Sequence, residues 1–368
     1  RCWFLLTGAA SGLLLLLSLH IQSQPADAGE RGLPAPKLAT LHGQYRLSAA
    51  LAEIARQTTE PVADQMGDAD PQLDPDLQNV SFWEALDALA DKAHARLDLH
   101  PREGHVALTP RPAGWRPPPV SHSGLFRVAL HDLTSKLDLE TDARACTASV
   151  EAAWEPHMLP LLLETRPRSL AVRDDAGRVA PAGSATNSLA PVDGRTSLVF
   201  DVALPPVDRS AKTLALVEGE LYAVAPTKML TFSFGSLADL AGAPADDARL
   251  RQTQEGVSCR IGKVTAEGDR WSVEIVLDYP DGNVKLDSYQ SWVVNNEITL
   301  ERADGGDRFS SATYLLEEST PRHAVLTYNF SDKGRMKRGL AEWKLVYTTP
   351  ARVVKVPIHF AFHDVPLP

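Results

Sequence analysis

Eleven histidines, three cysteines and a short aspartate-rich run are the residues of this 368-residue chain whose types could hold a metal or move a proton. No HExxH helix and no cysteine pair at zinc spacing occurs among them. His359 and His363 share one face of an alternating C-terminal run, but four residues of strand hold them about 13 Å apart, too far for one ion. His100 and His105 flank an expected hairpin turn, where they could approach each other. The segment GDADPQLDPD carries Asp68, Asp70, Asp74 and Asp76. Counted from Asp68, a calcium loop asks for Gly sixth and a bidentate Glu twelfth, and those places hold Leu73 and Asn79. The loop GSATNS (183–188) is no G-x-S-x-G elbow, and neither a dinucleotide nor a phosphate-cradling glycine motif is present. The patterns therefore name no catalytic, cofactor-binding or metal-binding residue and no cofactor. A triad gathered from distant positions stays open, because such sites are geometric rather than sequential.

Aromatic and sulfur side chains are the remaining candidates. Trp154 and Trp271 lie within alternating runs and are expected in cores. Trp83 stands beside the apolar stripe of a helix, which makes it the candidate partner-binding residue, since a large aromatic off the core face can anchor an interface. Cys146 and Cys259 read as small buried hydrophobes or, in an oxidising compartment, as one bridge; Cys2 would leave with a leader. That is no cysteine framework.

The elements that must position these side chains come in two styles. In RLSAALAEIARQT, Leu47, Leu51, Ile54 and Ala55 share a helical face. In NVSFWEALDALADKA the face is Phe82, Leu86, Leu89, Ala90 and Ala93, with Ser81 placed to cap the helix and Glu84 to close the capping box. The two helices echo each other, Leu47, Ala50, Leu51, Ile54 and Ala55 against Phe82, Ala85, Leu86, Leu89 and Ala90. ARLDLHPREGHVALTP then reads as a hairpin turning at 101–104. The expected order is strand, helix, strand, strand, helix, hairpin, with both helices on one face of a small sheet. Five prolines in TPRPAGWRPPPV make a stiff spacer. Beyond it the period drops to two, in the manner of antiparallel sandwiches. In the last run Val354, Val356, Ile358, Phe360 and Phe362 point one way, and Pro357 argues for an edge position.

The stretch 41–110, above all LQNVSFWEALDALADKAHARLDL, resembles the secretin and TonB short N-terminal type of domain. Val80, Phe82, Ala85, Leu86, Leu89 and Ala90 stand at the places of its "nVsφxEALdxLa" pattern. That resemblance implies a periplasmic or extracytoplasmic recognition and assembly module that contacts other proteins. No secretin or barrel region follows it in this chain, and the remainder is similar only in style to exported β-rich bacterial proteins.

The N-terminal segment gives the address. Arg1 precedes an apolar run from Trp3 to Leu19, and Ala26-Asp27-Ala28 suits a signal peptidase cutting before Gly29. Residues 3–21 are also nearly long enough for an uncleaved membrane anchor. A net charge of −10 with scattered basic residues argues against a nucleic-acid partner. The expected fold class is multidomain, a small α+β module followed by two all-β antiparallel sandwich (Ig-like) domains. The expected boundaries are 1–28 signal peptide or anchor, 29–40 linker, 41–110 α+β module, 111–122 Pro-rich linker, 123–240 sandwich, 241–250 hinge and 251–368 sandwich. The expected role is a non-enzymatic exported or envelope protein, periplasmic or secreted, that binds or assembles with a protein partner in the cell envelope. An exported hydrolase with a non-local active site and a self-associating structural component are the alternatives.

Overall fold

A computed structural model describes residues 35–100, 106–180, 188–208, 210–267, 270–280, 292–320, 322–331 and 340–368. The leader or anchor at 1–28, the linker up to residue 34, the hairpin turn at 101–104 with His105, and loop residues 183–187 lie outside the described residues.

The α+β region runs Leu38–His42 (β1), Tyr45–Arg46 (β2), Leu47–Thr58 (α1), Val62–Asp64 (β3), Gln72–Leu73 (β4), Asp76–Ser81 (β5), Phe82–Lys92 (α2), Ala95–Asp98 (β6) and Val106–Pro110 (β7). Helix α1 buries Leu47, Ala50, Leu51 and Ile54, and α2 buries Phe82, Ala85, Leu86, Leu89 and Ala90. These faces meet in one core with Leu41, Leu73, Val106 and Leu108. The capping box is complete: the Ser81 amide donates to Glu84 Oε2 (2.7 Å), and the Glu84 amide donates to Ser81 Oγ (3.4 Å). Instead of a single small sheet there are three short ladders, β1–β5, β2–β4 and β3–β7–β6. Pro71 and Pro75 bracket β4 and carry no amide hydrogen, so the pairing cannot run on from β4 into β5.

Larger antiparallel sheets follow. Val120–Ser123 (β8), Phe126–Leu137 (β9) and Arg144–Trp154 (β10) lead to Leu162–Glu164 (β11), Ser169–Asp174 (β12), Val179–Ala180 (β13) and Leu189–Pro191 (β14). Next come Ser197–Leu204 (β15), Thr213–Ser236 (β16), Leu237–Ala241 (α3), Arg251–Gln254 (β17), Val257–Glu267 (β18) and Arg270–Asp278 (β19). The chain continues through Glu297–Arg302 (β20), Arg308–Ser310 (β21), Thr313–Ser319 (β22) and His323–Ser331 (β23) to Trp343–Pro366 (β24). Three sheets result, with strand orders β15-β10-β9-β8, β13-β12-β16-β24-β20-β21 (β11 and β14 attached) and β17-β18-β19-β23-β22.

The middle sheet serves two cores. Leu214, Val217 and Leu221 of β16, with Val356, Ile358 and Phe360 of β24, pack with Val128, Val150 and Val202 of the four-stranded sheet. Farther along the same two strands, Leu230, Phe232, Phe234, Leu345 and Tyr347 pack with Ile261, Ile275 and Leu326 of the five-stranded sheet. What reads in sequence as pairs of separate runs is thus one pair of 24-residue strands. Pro226 and Pro350 sit where the register slips between them, so the missing amide hydrogens fall at irregular pairings. The expected hinge at 241–250 lies against this second core, where Leu237, Leu240 and Leu250 are buried around it. Beyond Arg352 the strand β24 pairs with β16 alone. Its other edge is met by serine hydroxyls of β8, where the amides of His359 and Ala361 donate to Ser123 Oγ and Ser121 Oγ (3.1 Å each).

Candidate functional site

Helix α2 has a second buried face. Trp83 and Asp87, one helical turn apart, turn to β8, β9 and the Leu125 carbonyl between them, while Asp91 one turn on is exposed. Trp83 Nε1 donates to the carbonyl of Leu125 (3.1 Å). Asp87 accepts both Nε (2.8 Å) and Nη2 (3.0 Å) of Arg127, and His122 Nε2 lies 2.7 Å from its Oδ2. Burial alone would raise the Asp87 carboxyl, but His122 and Arg127 outweigh it and hold the group below the usual range. A guanidinium fork on a half-buried carboxylate is the geometry that keeps both charges ionised.

A second polar group lies farther along β9. Position 131 is skipped in the pairing of β9 with β10, where Asp132 faces Ser149 and Leu130 faces Val150. Such a bulge re-aims a side chain, and His131 Nε2 lies 2.8 Å from Glu151 Oε2. Ser197, at the start of β15, donates to Glu151 Oε1 (2.6 Å). Burial would raise Glu151, yet the bonds from His131 and Ser197 keep it low. His100 completes the group, with its two ring nitrogens 3.5 and 3.4 Å from Ser197 Oγ. Near-equal distances to both nitrogens mean that the hydroxyl is aimed at neither lone pair. A hydrolytic triad needs serine on histidine and histidine on carboxylate. Here the carboxylate holds the serine directly.

Between these groups a cleft of about 590 Å3 opens at the seam of the α+β region and the four-stranded sheet. Its floor includes Ala90, Leu97 and Leu99, and the Pro-rich spacer forms a wall through Trp115, Pro117 and Pro118. The spacer is folded down onto α2. Arg111 donates to the Ala95 carbonyl (2.8 Å) and to Asp91 (3.0 Å), and its guanidinium lies 5.1 Å from the Trp115 ring centre. A third seam contact lies apart from the cleft. There the Lys37 amide donates to Glu155 Oε2 (2.9 Å), and His157 Nδ1 lies 2.7 Å from Glu60 Oε1 and 3.5 Å from Glu155 Oε2.

No protein-family profile, curated protein or solved structure matches this chain.

Several residues singled out by type are placed elsewhere. Trp83 is fully buried, stacked edge-on with Phe82 at 5.0 Å, and has no surface to offer a partner. The position beside the stripe that suggested a free face is covered by Leu125 and its neighbours. His359 and His363 are exposed on β24, while His100 lines the cleft. Asp70 is a helix cap, accepting the amide and hydroxyl of Ser48 (2.9 and 3.0 Å), and Asp76 lies 2.7 Å from His42. Cys146 and Cys259 are free thiols buried in the two different β cores. Among the described residues no three His, Cys, Asp or Glu side chains are grouped to hold a metal. No helix among them is long and apolar enough to cross a membrane.

Proposed function

We propose that this chain is an exported or envelope-facing binding and assembly protein. In this reading the α+β region is a short secretin/TonB-type recognition module, and the β-rich remainder is a pair of Ig-like sandwiches that presents it. The module is clamped to its support by buried charge pairs, and the cleft at the seam is where a partner in the envelope is recognised. The observation that carries the proposal is the arrangement of cleft side chains as mutual partners: Asp87 with His122 and Arg127, and Glu151 with His131 and Ser197. Groups spent on one another shape and rigidify a surface; a reacting site needs an activated nucleophile and a base aimed at it.

Affinity capture from the envelope fraction of the native cell tests this, with wild-type protein beside Trp115→Ala. A stoichiometric protein partner that is lost with Trp115→Ala is the expected result. Self-assembly with no other protein captured would favour the architectural alternative. A hydrolase draws its support from Ser197, His100 and Glu151 standing within 3.8 Å of one another. Turnover of a peptide or glycoside substrate that disappears in Ser197→Ala would establish that reading in place of this one.

A further inference from the structure

Among the described residues, one guanidinium lining the cleft has no ion pair or hydrogen bond. Arg127 is taken up by Asp87, and Arg111 by Asp91 and the Ala95 carbonyl. Arg96, on β6, also lines the cleft, and its Nε is buried without a hydrogen-bond partner among the described residues. Directly across the ladder stands Thr109 on β7, whose Oγ1 is likewise buried and unpartnered. Side chains directly opposite in an antiparallel pair share a face. Thr109 is not among the cleft-lining residues, so it is Arg96 alone, a guanidinium with an unmet donor, that offers the cleft a place for an external oxygen.

Resting on the reading of the cleft as a binding site, we propose that it takes a monocarboxylate carried on an aromatic body, with the carboxylate on Arg96 and the ring against Trp115. Charge decides for a single negative group. Asp87, Asp91, Asp98 and Glu151 line the same space as Arg96, Arg111 and Arg127, so with neutral histidines the lining already carries one net negative charge, and a dianion such as a phosphate ester is repelled more than a monocarboxylate. Shape decides for a ring. Trp115 is already held by Arg111, and Leu97, Pro117, Pro118 and Val120 extend an apolar wall beside it. The volume suits an amino-acid-sized or dipeptide-sized body. A free aromatic acid and the carboxyl end of a peptide present the same chemistry.

Calorimetric titration of the purified full chain with N-acetylphenylalanine, its amide and phenyl phosphate reads this directly. The acid is expected to bind in the low millimolar range, as befits so small a ligand. The amide should bind about tenfold more weakly, and phenyl phosphate more weakly than the acid. Arg96→Gln should bring the acid down to the level of the amide, and Trp115→Ala should weaken acid and amide by similar factors. The acid-to-amide comparison needs no variant, so a misfolded Arg96→Gln protein does not spoil it. Ala-Ala-Phe as free acid and as C-terminal amide separates the two sources: a larger acid preference than N-acetylphenylalanine shows points to a peptide end, an equal one to a free acid. Equal binding of acid and amide, stronger binding of phenyl phosphate, or no binding of any of them overturns the proposal. Partner capture that persists despite such a result leaves the assembly role standing and removes only this ligand.

Discussion

Glu155 is wholly buried, with one carboxylate oxygen on the Lys37 amide and the other without a partner among the described residues. Burial pushes its pKa up from the ordinary 4.5 to about 7 against the pull of that amide, and the charge of Glu60 adds to the rise. The folded chain therefore keeps a proton there that the unfolded chain releases. The stability this supplies is complete below pH 4.5 and is lost as the pH rises through 7, a change of about 3 kcal/mol. Urea unfolding of wild type and Glu155→Gln at pH 5 and pH 8 should show wild type losing that much relative to the variant; parallel curves would refute the assignment. Part of this was readable in the sequence. Arg127, Glu151 and Glu155 each interrupt an otherwise apolar run, and a charge in such a place is an anomaly that asks for a partner. The partners were not readable, because Asp87, His131 and Lys37 meet Arg127, Glu151 and Glu155 only through strand pairing and tertiary packing. Arg96, one alternating position in a short strand, carried no signal.

Among the elements, the helices were the most legible. Both apolar faces and the Ser81–Glu84 box are local patterns, and local patterns survive folding. The second face of α2 was hidden because Asp87 looks like a solvent-facing residue until His122 and Arg127 cover it. Strand runs were legible as runs, but their continuity was not. Pro226 and Pro350 look like breaks, and only register slips between two long partners make them tolerable. In that long pair Gly219 stands opposite Phe360. A β-carbon there would stand 2.5 Å from the Phe360 ring and 2.9 Å from the Ser169 carbonyl oxygen. Gly219→Ala should therefore cost roughly 1–3 kcal/mol by overpacking, read as a lower urea midpoint at unchanged slope. Adding Phe360→Leu should return only part of it, since the ring can be removed and the carbonyl cannot. A neutral Gly219→Ala would mean that the two strands stand farther apart.

At the scale of the whole molecule, a small mixed region followed by larger antiparallel sheets was anticipated from the change of period. The sharing of strands was not, because period alone does not say which core a strand serves. Trp154 lies in one β core, and Trp271 and Trp343 lie in the other, each buried. Tryptophan emission and far-UV circular dichroism of the intact wild-type chain should report one shared urea midpoint, because β16 and β24 cannot leave one core and keep the other. Two separated midpoints would show that the halves unfold independently. The same sharing bears on how the protein is made. Residues 343–366 emerge from the ribosome after every other strand described here, yet both β cores wait for them. Front-to-back folding, the usual course for beads on a string, is therefore closed to these β halves: they stay open until residues 343–366 are available and then set together.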